Sequence, residues 1–275
     1  MKWCSRLLLL LVLGFFACSP HKIARAQTLS IPHPDDAAKK VEYFLEKPNG
    51  NGPWPTIVFL HGHQEWFSHG GRDFVDWGVL DEFADRGYLA VAVSQPGYGK
   101  SAGPADFCGP FTQHAVEAVL AKVRSEGYVD GDRLVLEGVS RGAMTAGMVA
   151  AHDHSIGGIV LISGAYDLPE YVRHPKSLMA RLIIHSMKSE TDGSEAALKE
   201  RSLLYSAQYV KARALIINGA QDDRTDPEQA RRLADAINSA GGKARVIIYP
   251  QYGHQIPVEV RNREIAPFIE QVMRR

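Results

Sequence analysis

An α/β fold built on a mainly parallel sheet with helices on both faces is the class this sequence predicts, on three observations. Short apolar runs alternate with longer amphipathic segments along most of the chain. The runs are continuous rather than alternating in polarity, as strands covered by helices on both faces must be. One run, Leu134-Val135-Leu136, feeds through Gly138-Val139-Ser140-Arg141-Gly142 into a segment rich in small residues, Ala143, Ala146 and Gly147. At 275 residues, 45% hydrophobic and 23% charged, the chain has an ordinary globular composition that one large α/β domain accounts for.

Taken in order, Thr56 to Leu60 is the first clear strand, Phe74 to Arg86 a helix, and Tyr88 to Val93 the next strand. A helix near Thr112 to Glu126 precedes the strand that enters Ser140, and a further helix runs to about Ala151. Ile156 to Ile162 is again a strand. From Pro169 to Tyr209 the alternation lapses into Pro-, Ser- and charge-containing sequence with a helical patch at Ser177 to Lys188, which predicts a short cap inserted over the sheet. The alternation then resumes with strand Ala214 to Ile217, a helix near Pro227 to Asn238, strand Lys243 to Tyr249 and a closing helix near Val258 to Arg274. No repeat or low-complexity tract interrupts it.

The N-terminal residues carry a targeting pattern. Lys2 and Arg6 precede the apolar stretch Leu7 to Ala17, which is too short for a comfortable membrane span and resembles a secretory signal peptide. Small residues at Ala24 and Ala26 predict cleavage after Ala26, a mature domain over residues 27–275, and secretion or a periplasmic location. Lipoprotein processing at Cys18 is the alternative, and Phe15 and Phe16 fit it poorly. Cleavage after Ala26 leaves Cys108 as the sole cysteine, so no internal disulfide follows. Flanked by Gly109 and Pro110 and lacking an elbow, Cys108 reads as a packed small side chain rather than a catalytic thiol. Lys+Arg and Asp+Glu both number 31, which offers no basic excess for nucleic acid. A small, roughly neutral substrate or a polymer without strong charge fits better.

Gly138-Val139-Ser140-Arg141-Gly142 is a G-x-S-x-G sequence between a strand and a helix. A serine thrust from so tight a turn needs small neighbours, and Ser140 is therefore the candidate nucleophile. Its hydroxyl is a poor nucleophile at neutral pH. It needs a base within hydrogen-bond reach and a group that orients that base.

These residues resemble an α/β-hydrolase over nearly the whole expected mature chain. The resemblance is carried by His61-Gly62, Pro96-Gly97-Tyr98-Gly99-Lys100-Ser101, the elbow, Gly219-Ala220-Gln221-Asp222-Asp223-Arg224 and Gly253-His254. Within that fold the chain is most similar to the group of dienelactone hydrolases and prolyl oligopeptidase catalytic domains. In that group a Gly-x-x-Asp-Asp stretch precedes the last helix pair and its first aspartate is the triad acid, so the resemblance implies Asp222 as the acid, and the order of serine, acid and histidine at strand ends implies His254 as the base. Asp223, Asp226 and Asp167 are the rivals for the acid, with Asp226 well placed to cap the helix at Pro227. Of the 11 histidines, only His254 has the address of the base. His61 reads as structural, and His152-Asp153-His154 as exposed polar residues without a third metal ligand. His63, His69, His114, His174 and His185 have no spacing that singles them out as bases or ligands.

The oxyanion hole implied by the fold takes the backbone N–H of Arg141 and a second donor from the loop after Leu60, where His61-Gly62-His63-Gln64 replaces a longer glycine run. His63 is preferred over Gln64. Trp66, Phe67, Trp77, Tyr98, Phe107 and Phe111 are candidates for lining a pocket or for ordinary packing. Together these features predict a serine hydrolase of carboxylic esters working through an acyl-enzyme on Ser140, with no metal or organic cofactor and a small ester or acyl substrate. A prolyl-oligopeptidase-like peptidase, an acyltransferase and a silent binding protein on the same scaffold are the alternatives.

Overall fold

The computed structural model describes residues 25–64 and 68–274. Most of the expected leader, with Cys4, Cys18 and the apolar stretch Leu7 to Ala17, lies outside the described residues, as do Trp66 and Phe67.

The described strands are β1 (Gln27–His33), β2 (Asp36–Glu46), β3 (Trp54–Leu60), β4 (Leu89–Val93), β5 (Val129–Val139), β6 (Gly158–Ile162), β7 (Arg213–Gly219) and β8 (Ala244–Tyr249). The helices are α1 (Arg72–Asp76), α2 (Val79–Asp85), α3 (Pro110–Ser125), α4 (Arg141–His152), α5 (Leu168–Arg173), α6 (Leu178–Glu190), α7 (Glu195–Lys199), α8 (Pro227–Ser239) and α9 (Val258–Met273). One eight-stranded sheet results, in the order β1-β2-β4-β3-β5-β6-β7-β8. Strands β4, β3, β5, β6, β7 and β8 are mutually parallel, while β2 is antiparallel to β1 and to β4.

Alternate residues of each central strand supply two separate cores. Val58, Leu60, Leu89, Val91, Leu134, Leu136, Ile159, Leu161 and Ile216 face one side, where α3, α4 and α8 bring Val116, Val119, Ala146, Leu233 and Ile237. Ile57, Phe59, Ala90, Ala92, Val135, Val160, Ile162, Leu215 and Ile217 face the other, covered by Leu80 and Phe83 of α2 and by Ile265, Phe268 and Ile269 of α9. This two-sided burial explains why the runs contain no polar alternation.

Two elements depart from the sequence-based expectation. The β1-β2 hairpin was not anticipated, because β1 is mostly solvent-exposed at the sheet edge and β2 begins with polar residues before its buried end. The helix expected at Phe74 to Arg86 is two helices. Gly78, at φ +73°, takes a left-handed turn between α1 and α2 that a right-handed helix cannot accommodate.

Register decides where chemistry can occur. Leu60 pairs with Gly138, Val139 with Ile162, Ile162 with Ile217 and Gly219 with Tyr249. The loops after β3, β5, β6, β7 and β8 therefore leave from one edge of the sheet. Segment 169–209, between β6 and β7, contributes α6, α7, most of α5 and a 3-10 turn at Leu203–Tyr209. Its Tyr171, Ala180, Ile184, Met187 and Leu198 bury a third, smaller core against Phe107, Cys108 and Met144 of α4. Among the described residues, no helix is long and apolar enough to cross a membrane.

Arg25, which cleavage after Ala26 would remove, is part of the folded domain. Its guanidinium lies 2.7 Å from the Asp85 carboxylate and 3.3 Å from that of Glu46, and it donates to the Asp81 carbonyl. Arg25→Ala is expected to lower the melting temperature at low ionic strength, with the loss shrinking in 1 M salt as screening weakens these pairs. A salt-independent loss in parallel thermal melts would show that packing, not charge, ties this residue down.

Candidate active site

Ser140 sits between β5 and α4 with φ +54° and ψ −116°, a conformation that side-chain-bearing residues rarely adopt. Backbone packing forces it there. A Cβ on Gly138 would lie 2.1 Å from the Gly142 carbonyl oxygen, and one on Gly142 would lie 2.0 Å from that of Leu60 at the end of β3. The elbow is thus pressed against itself and against the neighbouring strand, and the Ser140 N–H is held by the Ile162 carbonyl at 2.7 Å.

The side chains expected to meet do meet. His254 Nε2 lies 3.2 Å from Ser140 Oγ, while its Nδ1 lies 2.9 and 3.1 Å from the two Asp222 oxygens. A carboxylate can only accept, so Nδ1 carries a proton and, in the neutral ring, Nε2 is free to accept the serine hydroxyl proton. Asp222 is fully buried and His254 nearly so. Burial alone would raise the Asp222 carboxyl. The hydrogen bond and charge of His254 and the N–H and hydroxyl of Thr225 outweigh that effect and hold it below the usual carboxylate range. The Arg224 N–H, at 2.8 Å, adds a further donor to this carboxylate.

The rival aspartates have other work. Asp226 caps α8 by accepting from the Glu228 N–H, and Asp167 caps α5 by accepting from the Glu170 N–H. Neither touches His254. The acid and base loops are in backbone contact, since a Cβ on Gly219 would lie 2.2 Å from the Tyr252 carbonyl oxygen. Ser163, following β6 with φ +53°, donates to the His254 carbonyl at 2.9 Å and ties down its backbone. Neither Ser163 nor Thr225 was anticipated. The only signal for Ser163 is its place directly after an apolar run, and Thr225 lies three residues beyond the acid.

Arg141 is the first residue of α4, so its N–H has no partner within the helix and follows directly on Ser140. Gly62 packs against Ser140, where an added Cβ would lie 3.3 Å from Ser140 Cβ. That contact brings the adjacent His63 backbone to the same edge. The Gln64 side chain bonds Gly70 and Asp73 and closes the start of the loop. His61 is structural, as expected. Its Nδ1 donates to the Gly62 carbonyl, its Nε2 accepts from the Gln95 N–H, and Gln95 in turn bonds the His61 carbonyl and Thr145 of α4. Burial pushes its pKa down to about 4. Both ring nitrogens are spent on loop geometry.

Other candidates are dispersed. Tyr98 bonds His63 Nδ1 at 2.8 Å and Phe107 lies over the Arg141 guanidinium, but Phe111 stacks on His33 near β1 and Trp77 is 70% exposed. His152 pairs with Glu117, and Asp153 with Arg124. Among the described residues, no group of three or more His, Cys, Asp or Glu is arranged to hold a metal ion. Cys108 is buried, and burial pushes its thiol up to about 12. It stays protonated and donates to the Arg141 carbonyl at 3.2 Å.

An elbow serine after β5, a buried carboxylate after β7 and a histidine after β8, at one edge of this mainly parallel sheet, define an α/β-hydrolase fold. The chain belongs to the prolyl oligopeptidase family, whose model matches residues 111–273. It is 25% identical over 257 residues to the uncharacterized peptidase YuxL of Bacillus subtilis, covering 86% of this chain and 37% of that protein. It is 25% identical over 219 residues to dipeptidyl aminopeptidase BIII of Pseudoxanthomonas mexicana, covering 74% of this chain and 30% of that protein. The chain thus spans about a third of the length of these curated relatives. Among solved structures, a puromycin-hydrolyzing peptidase of Mycobacterium tuberculosis superposes with a TM-score of 0.75 at 20% identity, over 92% of this chain and 40% of that one.

The neutral, buried His61 has a consequence for pH. The unfolded chain takes up a proton near pH 6.5, whereas the folded chain does so only near 4, so this residue's contribution to stability is lost as pH falls between those values. The loss amounts to about 3 kcal/mol. Denaturant unfolding of wild type and His61→Gln between pH 7 and 4 should show that extra slope in the wild type alone.

Proposed function

We propose that this protein is a serine peptidase that cleaves short peptides or aminoacyl amides, with Ser140 as nucleophile, His254 as general base and acid, and Asp222 as its orienting partner. The observation that carries the proposal is the Ser140–His254–Asp222 hydrogen-bonded chain inside a domain of the prolyl oligopeptidase family. The ester substrate favoured by the sequence alone gives way to its alternative. The matched proteins carry peptidase names, among them a dipeptidyl aminopeptidase and a puromycin-hydrolyzing peptidase.

Each step follows from the positions. His254 Nε2 takes the Ser140 proton as Oγ attacks the scissile carbonyl, and Asp222 stabilises the imidazolium that forms. The oxygen acquires negative charge opposite the Arg141 N–H and, in this proposal, that of His63, donors held in place before the reaction. The imidazolium then protonates the leaving amine. Water, activated by the same histidine, releases the acyl group from Ser140. Segment 169–209 acts as a cap over this edge, held to the acid loop by Tyr171 on the Arg224 carbonyl and Ser177 on the Asp223 carbonyl.

The test compares aminoacyl and dipeptidyl 4-nitroanilides with short 4-nitrophenyl esters. A peptidase turns over both, and both rates vanish in Ser140→Ala. Asp222→Asn is expected to reduce kcat on the anilides by a factor on the order of 10⁴, because an amide side chain can hold the ring in the wrong tautomer. Ester turnover with no anilide hydrolysis would return the ester reading, and equal rates in Ser140→Ala would reject both.

A further inference from the structure

The side chain of Arg141 has a part to play beyond its backbone N–H. Its guanidinium makes a two-pronged pair with Glu190, Nη2 to Oε1 at 2.8 Å and Nη1 to Oε2 at 2.9 Å. Both side chains are largely buried, at 9% and 14% exposure. The Phe107 ring centroid lies 4.3 Å from the guanidinium carbon, and the Phe107 N–H donates to the same Glu190 carboxylate at 3.0 Å. Arg141 Nη1 also reaches the Tyr98 hydroxyl at 3.3 Å, and that hydroxyl is 2.8 Å from His63 Nδ1. One connected set of side chains therefore links the two residues of the expected oxyanion hole with the end of α6.

Helix stability does not account for this arrangement. Glu190 is the last residue of α6, where the helix dipole disfavours a carboxylate. A buried arginine–carboxylate pair is also weak evidence for stability, since desolvation of both ions offsets much of their attraction. What such a pair does provide is fixed geometry, because the planar guanidinium binds a carboxylate in one orientation.

We propose that Arg141 and Glu190 form a clamp between the insertion helix α6 and the nucleophile elbow, holding the Arg141 N–H and the His61–Gln64 loop at the spacing needed to bind the oxyanion. Both act as positioning residues through their side chains, and the proposal rests on the serine-hydrolase mechanism above. Seating of α6 is then a precondition for transition-state binding and not for substrate binding.

The experiment measures kcat, KM, melting temperature and the rate of Ser140 labelling by a fluorophosphonate in wild type, Glu190→Gln, Glu190→Asp and Tyr98→Phe. Glu190→Gln is expected to lower kcat and the labelling rate together, by roughly 10- to 100-fold, with KM within about twofold. Glu190→Asp restores part of the loss, and Tyr98→Phe shows a smaller one. Unchanged kcat and labelling, with only KM or melting temperature moved, would reduce the pair to a strut for α6 and overturn the clamp. If Glu190→Gln does not fold, Glu190→Asp and Tyr98→Phe decide by the same split. A folded wild type that the probe does not label would instead overturn the mechanism itself, and the clamp with it.

Discussion

The contact on which the rest depends is backbone against backbone at the elbow. Between β5 and α4 the chain folds so tightly that Gly138 meets the carbonyl of Gly142, and Gly142 meets that of Leu60. No side chain can mediate at those distances. The strain at Ser140 follows from this packing, as does its exposure at the sheet edge. The absence of a helical partner for the Arg141 N–H follows from the helix beginning there. Parallel pairing of β3, β5, β6, β7 and β8 then extends a single local constraint into a shared edge, along which acid and base arrive from strands far apart in sequence.

Around that edge, charge is sorted by burial and by partners. Asp222 remains ionised in a fully buried position because His254, Thr225 and the Arg224 N–H surround it with donors. His61, buried and lacking a carboxylate, is held neutral and shapes its loop. The two imidazoles thus differ in their partners. The difference lies in what faces each ring nitrogen: a carboxylate and a hydroxyl for one, a carbonyl and an N–H for the other.

Ser140 and His254 were legible in the sequence because each follows an apolar strand in a glycine-containing turn, while Asp222 was picked from its neighbour Asp223 by the resemblance to a family pattern. The parallel strands were legible because two-sided burial writes an unbroken apolar run. The β1-β2 hairpin left no such trace, since its edge strand is solvated and its pairing is made by backbone groups that every residue shares. Gln95, Ser163 and Glu190 were also invisible. Each acts on a residue tens of positions away, through one hydrogen bond or ion pair whose geometry exists only after the sheet has formed. The break at Gly78 was written in the sequence as a glycine. Its effect depends on a left-handed φ that the residue type permits but does not require.

The closeness of the loops that carry Asp222 and His254 bears on what length changes this edge tolerates. Gly219 lies against the Tyr252 carbonyl, so lengthening either loop by a residue would displace both partners at once. Segment 169–209 meets the elbow and the acid loop through side chains such as Glu190, Tyr171 and Ser177. Its apolar residues also pack on Met144 of α4, Phe107 and Cys108, so the segment is joined to the elbow helix by a core as well as by polar anchors. The backbone contact between the loops after β7 and β8 therefore ties the length of each to that of the other.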